Sequence, residues 1–168
     1  MVGTILHPLN RLRDAMPSAY ARHVTKYAGR EALLTRPVPM LGCLWNDCLF
    51  LTPTHPRALR GALETAGHAW PARGRRFFAI PGGLPRETTV MYWYRDTAPT
   101  SDLSSPMEDV VPYDPSSLEG VADMIPDGTR RYFAEMRAAE RRPLMFVGLP
   151  HVMHRGSIDV SDVPKITV

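Results

Sequence analysis

Gly42-Cys43-Leu44-Trp45-Asn46-Asp47-Cys48-Leu49-Phe50-Leu51-Thr52 reads as one continuous strand, apolar apart from Asn46 and Asp47. Such a run is the pattern of a strand covered on both faces, so it predicts a sheet at the centre of the fold. The Asn-Asp pair conflicts with that setting, because amides and carboxylates are costly to bury without partners. Neighbouring strand residues face opposite sides, so at most one of the two points into a given pocket. Either a bulge exposes the pair, or one member orients a ligand or a catalytic group. The second reading is preferred, since local rules tend to fail at functional sites. Cys43 and Cys48, five apart, would also face opposite sides of a strand, which suits a disulfide poorly. They read as two small buried hydrophobes in a reducing compartment.

Downstream, Thr54-His55-Pro56 opens a helix, with proline in the first turn and His55 as the residue that caps it. Ala58, Leu59, Ala62, Leu63 and Ala66 form one apolar stripe, and Gly67 closes the helix. Arg76–Ile80 is a predicted strand, Pro81-Gly82-Gly83 a turn, and Thr88–Arg95 a second strand rich in aromatic and β-branched residues. The stretch 97–106, rich in Ser, Thr, Pro and Asp, is a predicted flexible loop. Ser116–Met124 is a predicted short helix, and Asp127 caps a longer one over Gly128–Arg142, with Tyr132, Phe133, Met136 and Ala139 inward. Leu144–Leu149 is a predicted buried strand, Val152–Arg155 continues the sheet, and Ile166–Val168 adds a terminal edge.

Upstream, Gly3–Leu6 is a short strand ending at His7-Pro8. A helical pattern over Leu9, Leu12 and Met16 breaks at Pro17 and restarts at Ser18. There Ala19, Tyr20, His23, Val24 and Tyr27 share one face, and Gly29 stops it. Arg36-Pro37-Val38-Pro39 is an extended connector. Together these elements predict an α+β fold in a single domain, 1–168. It is a mostly antiparallel, strongly twisted sheet with helices inserted between strands.

The 168 residues are 44% hydrophobic and 22% charged, enough apolar matter for a core and against global disorder. No apolar run reaches the roughly 18–20 residues that span a bilayer. The N-terminal stretch lacks a basic cluster followed by an apolar one, so the expected compartment is cytoplasmic. The net charge is +3, and the basic residues are 18 Arg and 2 Lys. Arg73, Arg75 and Arg76 form one basic patch. Arg130, Arg131, Arg137, Arg141 and Arg142 form another. Each is either a solvated face or a site for an anionic ligand or nucleic acid.

Histidines are the first candidates for chemistry. His151 and His154 lie three apart, on opposite faces of a strand, which is wrong for a shared metal. HExxH spacing and a second cysteine pair are both missing, so no metal is expected. His7 and His55 stand at strand ends, where side chains often face a cleft. His23, Lys26, Tyr27, Arg30 and Glu31 crowd the end of the second helical run. The helix dipole explains cations there, but the cluster also suits a phosphorylated ligand. GxGxxG, GxxxxGKS, GxSxG and CxxC are not found, so neither a Rossmann turn nor a P-loop is expected.

The stretches Leu49–Leu59 and Gly156–Val168 are similar to segments of compact ADP-ribosyltransferase-fold proteins. The first resembles their strand, Thr-Pro, short loop and Ala-rich helix. The second resembles their ending, in which a strand leads into Gly-x-Ile, a short turn and a last Ile-x-Val. The resemblance covers some 30 residues. It implies a split, two-sheet core with an NAD-binding cleft. It also implies that His7 contacts the NAD ribose and that Tyr20 or Tyr27 stacks on nicotinamide. Many members carry a glutamate on the strand before the terminal Gly-x-Ile. Here Leu149–Arg155 holds no carboxylate, and His151 falls near its place. A histidine there suits general base work better than stabilising a developing cation.

The expectation is therefore a small enzyme acting on NAD, a nucleotide or another anionic small molecule. His151, His7, Asn46 and Tyr27 are the candidate catalytic residues. His23, Lys26, Arg30, Thr52, His55 and His154 are the candidates for cofactor binding, with Lys26 and Arg30 on phosphate. Two alternatives are a cofactor-independent biosynthetic or modifying enzyme on the same core and an Arg-rich module that binds nucleic acid or a protein partner.

Overall fold

The computed structural model describes residues 1–71, 74, 76–92 and 110–168. The segment expected to be a flexible loop, part of the strand over Thr88–Arg95, and Arg73 and Arg75 lie outside the described residues.

The fold is α+β, with every strand pair antiparallel. Its centre is a four-stranded sheet of β4 (Cys48–Leu51), β8 (His151–Arg155), β6 (Thr89–Tyr92) and β7 (Val110–Pro112), in the order β4-β8-β6-β7. Three two-stranded ribbons surround it. They are β1 (Ile5–Leu6) with β9 (Ile158–Asp159), β2 (Pro37–Val38) with β3 (Cys43–Leu44), and β5 (Arg76–Phe78) with β10 (Lys165–Thr167).

Both faces of the central sheet are covered, as its apolar strands require. Met153, Val90, Tyr92, Val110 and Cys48 pack with Val38 and Leu41 of the β2–β3 ribbon. On the other face Val152 and Met91 pack with Tyr113, Leu84 and Leu118. A second core joins α3 (Pro56–Thr65) to α4 (Asp127–Ala138), where Leu59, Leu63, Phe133 and Leu149 are at most 1% exposed. The Ala-Leu stripe on α3 accounts for this packing, and Gly67 ends the helix at φ +83°, a conformation that favours glycine.

The stretch expected to be one strand over Gly42–Thr52 is instead two strands joined by a 3-10 turn at Trp45–Asp47. Asp47 makes the turn. One carboxylate oxygen accepts the Leu44 N–H at 2.8 Å and the other accepts Asn10 Nδ2 at 2.8 Å. With the chain folded there, Cys43 and Cys48 do not diverge. Their sulfurs lie 3.6 Å apart as free thiols.

Other expectations are corrected too. Leu144–Leu149 is a series of turns, not a strand. Pro143 and Pro150, neither with an N–H of its own, bracket the run. Its backbone is tied to α4 by Leu144 N–H donating to Tyr132 Oη and by Thr129 Oγ1 donating to the Val147 carbonyl. The helix expected at Ser116–Met124 is a 3-10 turn at Pro115–Leu118. Asp127 begins α4 rather than capping it, and Ala139 is exposed past its end. The first helical run divides into α1 (Leu9–Ala15) and α2 (Pro17–Val24), because Pro17 can start a helix but cannot continue one.

Among the described residues no helix is long and apolar enough to cross a membrane.

Candidate functional site

Where β4 ends and β8 begins, Leu51 pairs with Val152. The β5–β10 ribbon stands opposite, and between them lies a cleft of about 550 Å³. Its walls are largely apolar, with Phe50, Phe77, Phe78 and Phe146 supplying aromatic rings. Among the described residues the polar groups are few: Thr52, Thr54, His55, Arg76, Tyr113 and His151. An apolar hollow with a few placed polar groups is the usual form of a small-molecule site.

The two histidines in this wall are held in opposite tautomers. His151 Nδ1 lies 2.8 Å from the Leu149 carbonyl oxygen. A carbonyl only accepts, so Nδ1 carries the proton and Nε2 keeps its lone pair. Burial pushes the His151 pKa down, partly opposed by that hydrogen bond, so the ring is neutral near pH 7. His55 caps α3, where its Nδ1 accepts the Arg57 N–H at 3.1 Å. In the neutral ring its proton therefore sits on Nε2. One cleft thus presents an imidazole acceptor and an imidazole donor.

Thr54 adds a further signal. It is 3% exposed, and its Oγ1 has no hydrogen-bond partner among the described residues. A buried hydroxyl without a partner departs from the rule that buried polar groups are hydrogen-bonded, and this one sits in a residue of the cleft wall. Thr52 Oγ1 accepts the Thr54 N–H at 3.2 Å and shapes this turn.

The other candidates do not share the cleft. Tyr27 Oη donates to Asn46 Oδ1 at 2.6 Å, and Asn46, 2% exposed, is sealed in the packing between the 3-10 turns. Asn46 Nδ2 reaches the Leu33 carbonyl at 3.4 Å. This amide holds structure together, and Asn46 is not among the residues that line the cleft. Burial raises the Tyr27 pKa. His7 Nδ1 meets Ser157 Oγ at 2.7 Å, next to Leu6, which does line the cleft.

His154 lies on the opposite sheet face from His151, as strand parity requires. Its Nδ1 is 3.0 Å from Thr89 Oγ1, and burial lowers its pKa. His23 and Lys26 stay on the α2 side of the molecule. The His23 pKa is lowered by burial first and then by Lys26 and Arg22. Arg30 donates to the Lys26 carbonyl and so closes the end of this helical run. Among the described residues no three His, Cys, Asp or Glu side chains group to hold a metal ion.

Of the ten candidates, the cleft takes His151, Thr52 and His55. Sequence reasoning had Arg76 only as part of a basic patch, and it missed Tyr113, Thr54 and the phenylalanines. A signal for some of them existed. Arg76-Phe77-Phe78 runs into the Pro81-Gly82-Gly83 turn, and strand ends before loops tend to face clefts. Tyr113 Oη donates to the Gly82 carbonyl at 2.7 Å and pins that turn to the wall.

Compared with protein-family models, curated proteins and solved structures, the chain has no match in any of the three.

Proposed function

We propose that this chain is a small enzyme with an ADP-ribosyltransferase-like cleft that acts on NAD, a nucleotide or another anionic small molecule. The supporting observation is the pair of imidazoles in opposite tautomers, His151 and His55, in one aromatic-walled hollow with Arg76. The phenylalanine rings suit a flat heterocycle, and the Arg76 guanidinium suits a phosphate or carboxylate. In the NAD version His151 Nε2 takes the proton of a water or hydroxyl that bonds to the ribose C1′ while the C1′–N bond breaks and nicotinamide leaves neutral with the bonding electrons. In the cofactor-independent version the attack is on a carbonyl or phosphoryl centre, His55 Nε2–H donates to the oxygen on which negative charge gathers, and the leaving oxygen departs with the electrons of its broken bond.

No Asp or Glu belongs to the cleft wall among the described residues. That favours acid–base work on the ligand over stabilising a glycosidic cation. It keeps a cofactor-independent modifying enzyme as the second reading.

Calorimetric titration with NAD, AMP and nicotinamide mononucleotide tests the proposal. Saturable heat that is lost in Arg76→Ala supports it, and release of nicotinamide from NAD distinguishes the first reading from the second. Absence of binding at millimolar NAD removes the NAD version. Absence of binding for all three removes the nucleotide class.

A further inference from the structure

A second concave site lies away from this cleft, where the C-terminal ends of α3 and α4 meet. It is about 370 Å³, walled by Arg137, Arg141, Arg142 and Glu140 over a floor that includes Leu63 and Met145. We propose that it binds a phosphate-bearing ligand through the three guanidinium groups.

Cations at helix C-termini are commonly explained by the helix dipole. Here the end carbonyls are already closed by backbone donors. Gly67 N–H donates to Glu64 O, His68 N–H to Leu63 O, Glu140 N–H to Arg137 O and Arg141 N–H to Met136 O. None of the three guanidiniums has a hydrogen bond or ion pair among the described residues. Among the described residues Glu140 offers the one carboxylate in the wall and is not ion-paired. Three guanidiniums against one carboxylate leave the hollow net positive.

The site is also partly organised. Arg137 lies over Gly67, where an added Cβ would meet its Nε at 3.2 Å and its Cδ at 3.6 Å. Glycine at this position lets the side chain settle across the α3 end. His68 Nε2–H donates to the Phe133 carbonyl at 2.9 Å and ties the loop after α3 to α4. Planar guanidinium forks match phosphate oxygens in pairs, and the apolar floor accepts the organic part of a phosphate ester. Such a phosphate belongs either to a free nucleotide or to a nucleic-acid strand, and the chemistry is the same in both.

The test is calorimetric titration of the full chain with inorganic pyrophosphate. The proposal expects saturable, salt-sensitive binding that weakens about tenfold or more in Arg141→Ala/Arg142→Ala, one charge-assisted contact's worth. Arg76→Ala, in which the first cleft has lost its guanidinium, should keep the Arg141- and Arg142-dependent binding, which separates this site from the first cleft. Arg141→Lys/Arg142→Lys keeps charge without the fork and should bind at an intermediate level. Thermal unfolding of each variant checks that it is folded. Equal affinity in the double alanine variant, loss in Arg76→Ala alone, or no saturable heat at millimolar pyrophosphate overturns the proposal. A 5′-mononucleotide and a single-stranded oligonucleotide then identify the source. A steep salt dependence seen with the oligonucleotide alone assigns the phosphate to a strand.

Discussion

Tyr27 Oη donates to Asn46 Oδ1 at 2.6 Å across nineteen positions of sequence, and this bond ties Tyr27 to the 3-10 turn that carries Trp45. The Trp45 ring packs on Phe50 at 4.6 Å, and Phe50 meets His151 edge-on at 6.3 Å. The buried amide therefore bears on the cleft through packing. Asn46→Leu leaves the Tyr27 hydroxyl without its acceptor and should cost about 1–3 kcal/mol, with Tyr27→Phe at the lower end of that range. Urea denaturation of the two single variants and the double variant measures it. Additive losses would contradict a direct Tyr27–Asn46 coupling.

Stability should fall as pH drops below the ordinary histidine value of 6.5. The sign follows from burial, which lowers the folded-state pKa of His151 and of His154. Between the lowered value and 6.5 the unfolded chain takes up protons that the folded chain refuses. Stability is full above this window and is lost on the way down through it. Thermal midpoints measured across the window should drop less in His154→Gln than in the parent chain. An identical slope would remove His154 from the account.

Under the proposed function, with His151 as the base, the same shift sets the activity profile. A base that stays neutral below pH 6.5 keeps its lone pair there, so the acidic limb of turnover should lie below that value. His151→Ala should lower kcat by about a hundredfold or more while the thermal midpoint stays close to that of the parent. A limb at or above 6.5 would mean that another group titrates.

Thr54→Val separates ligand binding from stability. Thr54 Oγ1 is buried and unpartnered among the described residues, so replacing it with a methyl should leave unfolding free energy unchanged or raise it. Under the proposed function, ligand affinity should fall where a bound ligand draws Oγ1 out of the wall as the partner it lacks. Unchanged affinity would show that Thr54 does not touch the ligand.

The two thiols should react slowly. Burial raises the pKa of Cys43 and raises that of Cys48 further, so little thiolate is present near neutrality. Alkylation by iodoacetamide at pH 7.5 should lag well behind free glutathione, and Cys48, 3% exposed, should lag behind Cys43. Fast labelling of Cys48 in folded protein would contradict this order.

Much of the frame was legible in the sequence because it depends on local periodicity. The Leu59-Ala62-Leu63 stripe, Pro56 at the start of α3, Gly67 at its end and the parity that separates His151 from His154 follow from helix and strand geometry alone. The Trp45–Asp47 turn was not legible, since its cause is the Asp47 bonds to Leu44 and to Asn10, and Asn10 lies far off in the chain. The Leu144–Leu149 run shows the same limit. An apolar run looks the same whether it pairs in a ladder or wraps on a helix, and here bonds to Tyr132 and Thr129 decide.

By itself, the amino-acid order determined an antiparallel α+β body, the capping of α3 by His55 and the opposite faces of His151 and His154. These follow from dihedral preference and from spacings of two and 3.6 residues. Only the tertiary structure decided which polar residues meet. It brought His151, His55 and Thr52 to one hollow, locked Tyr27 to Asn46, and set Cys43 against Cys48. The physical reason is that a side chain's partner is chosen by packing between distant segments, and pairwise spacing along the chain carries no record of that choice.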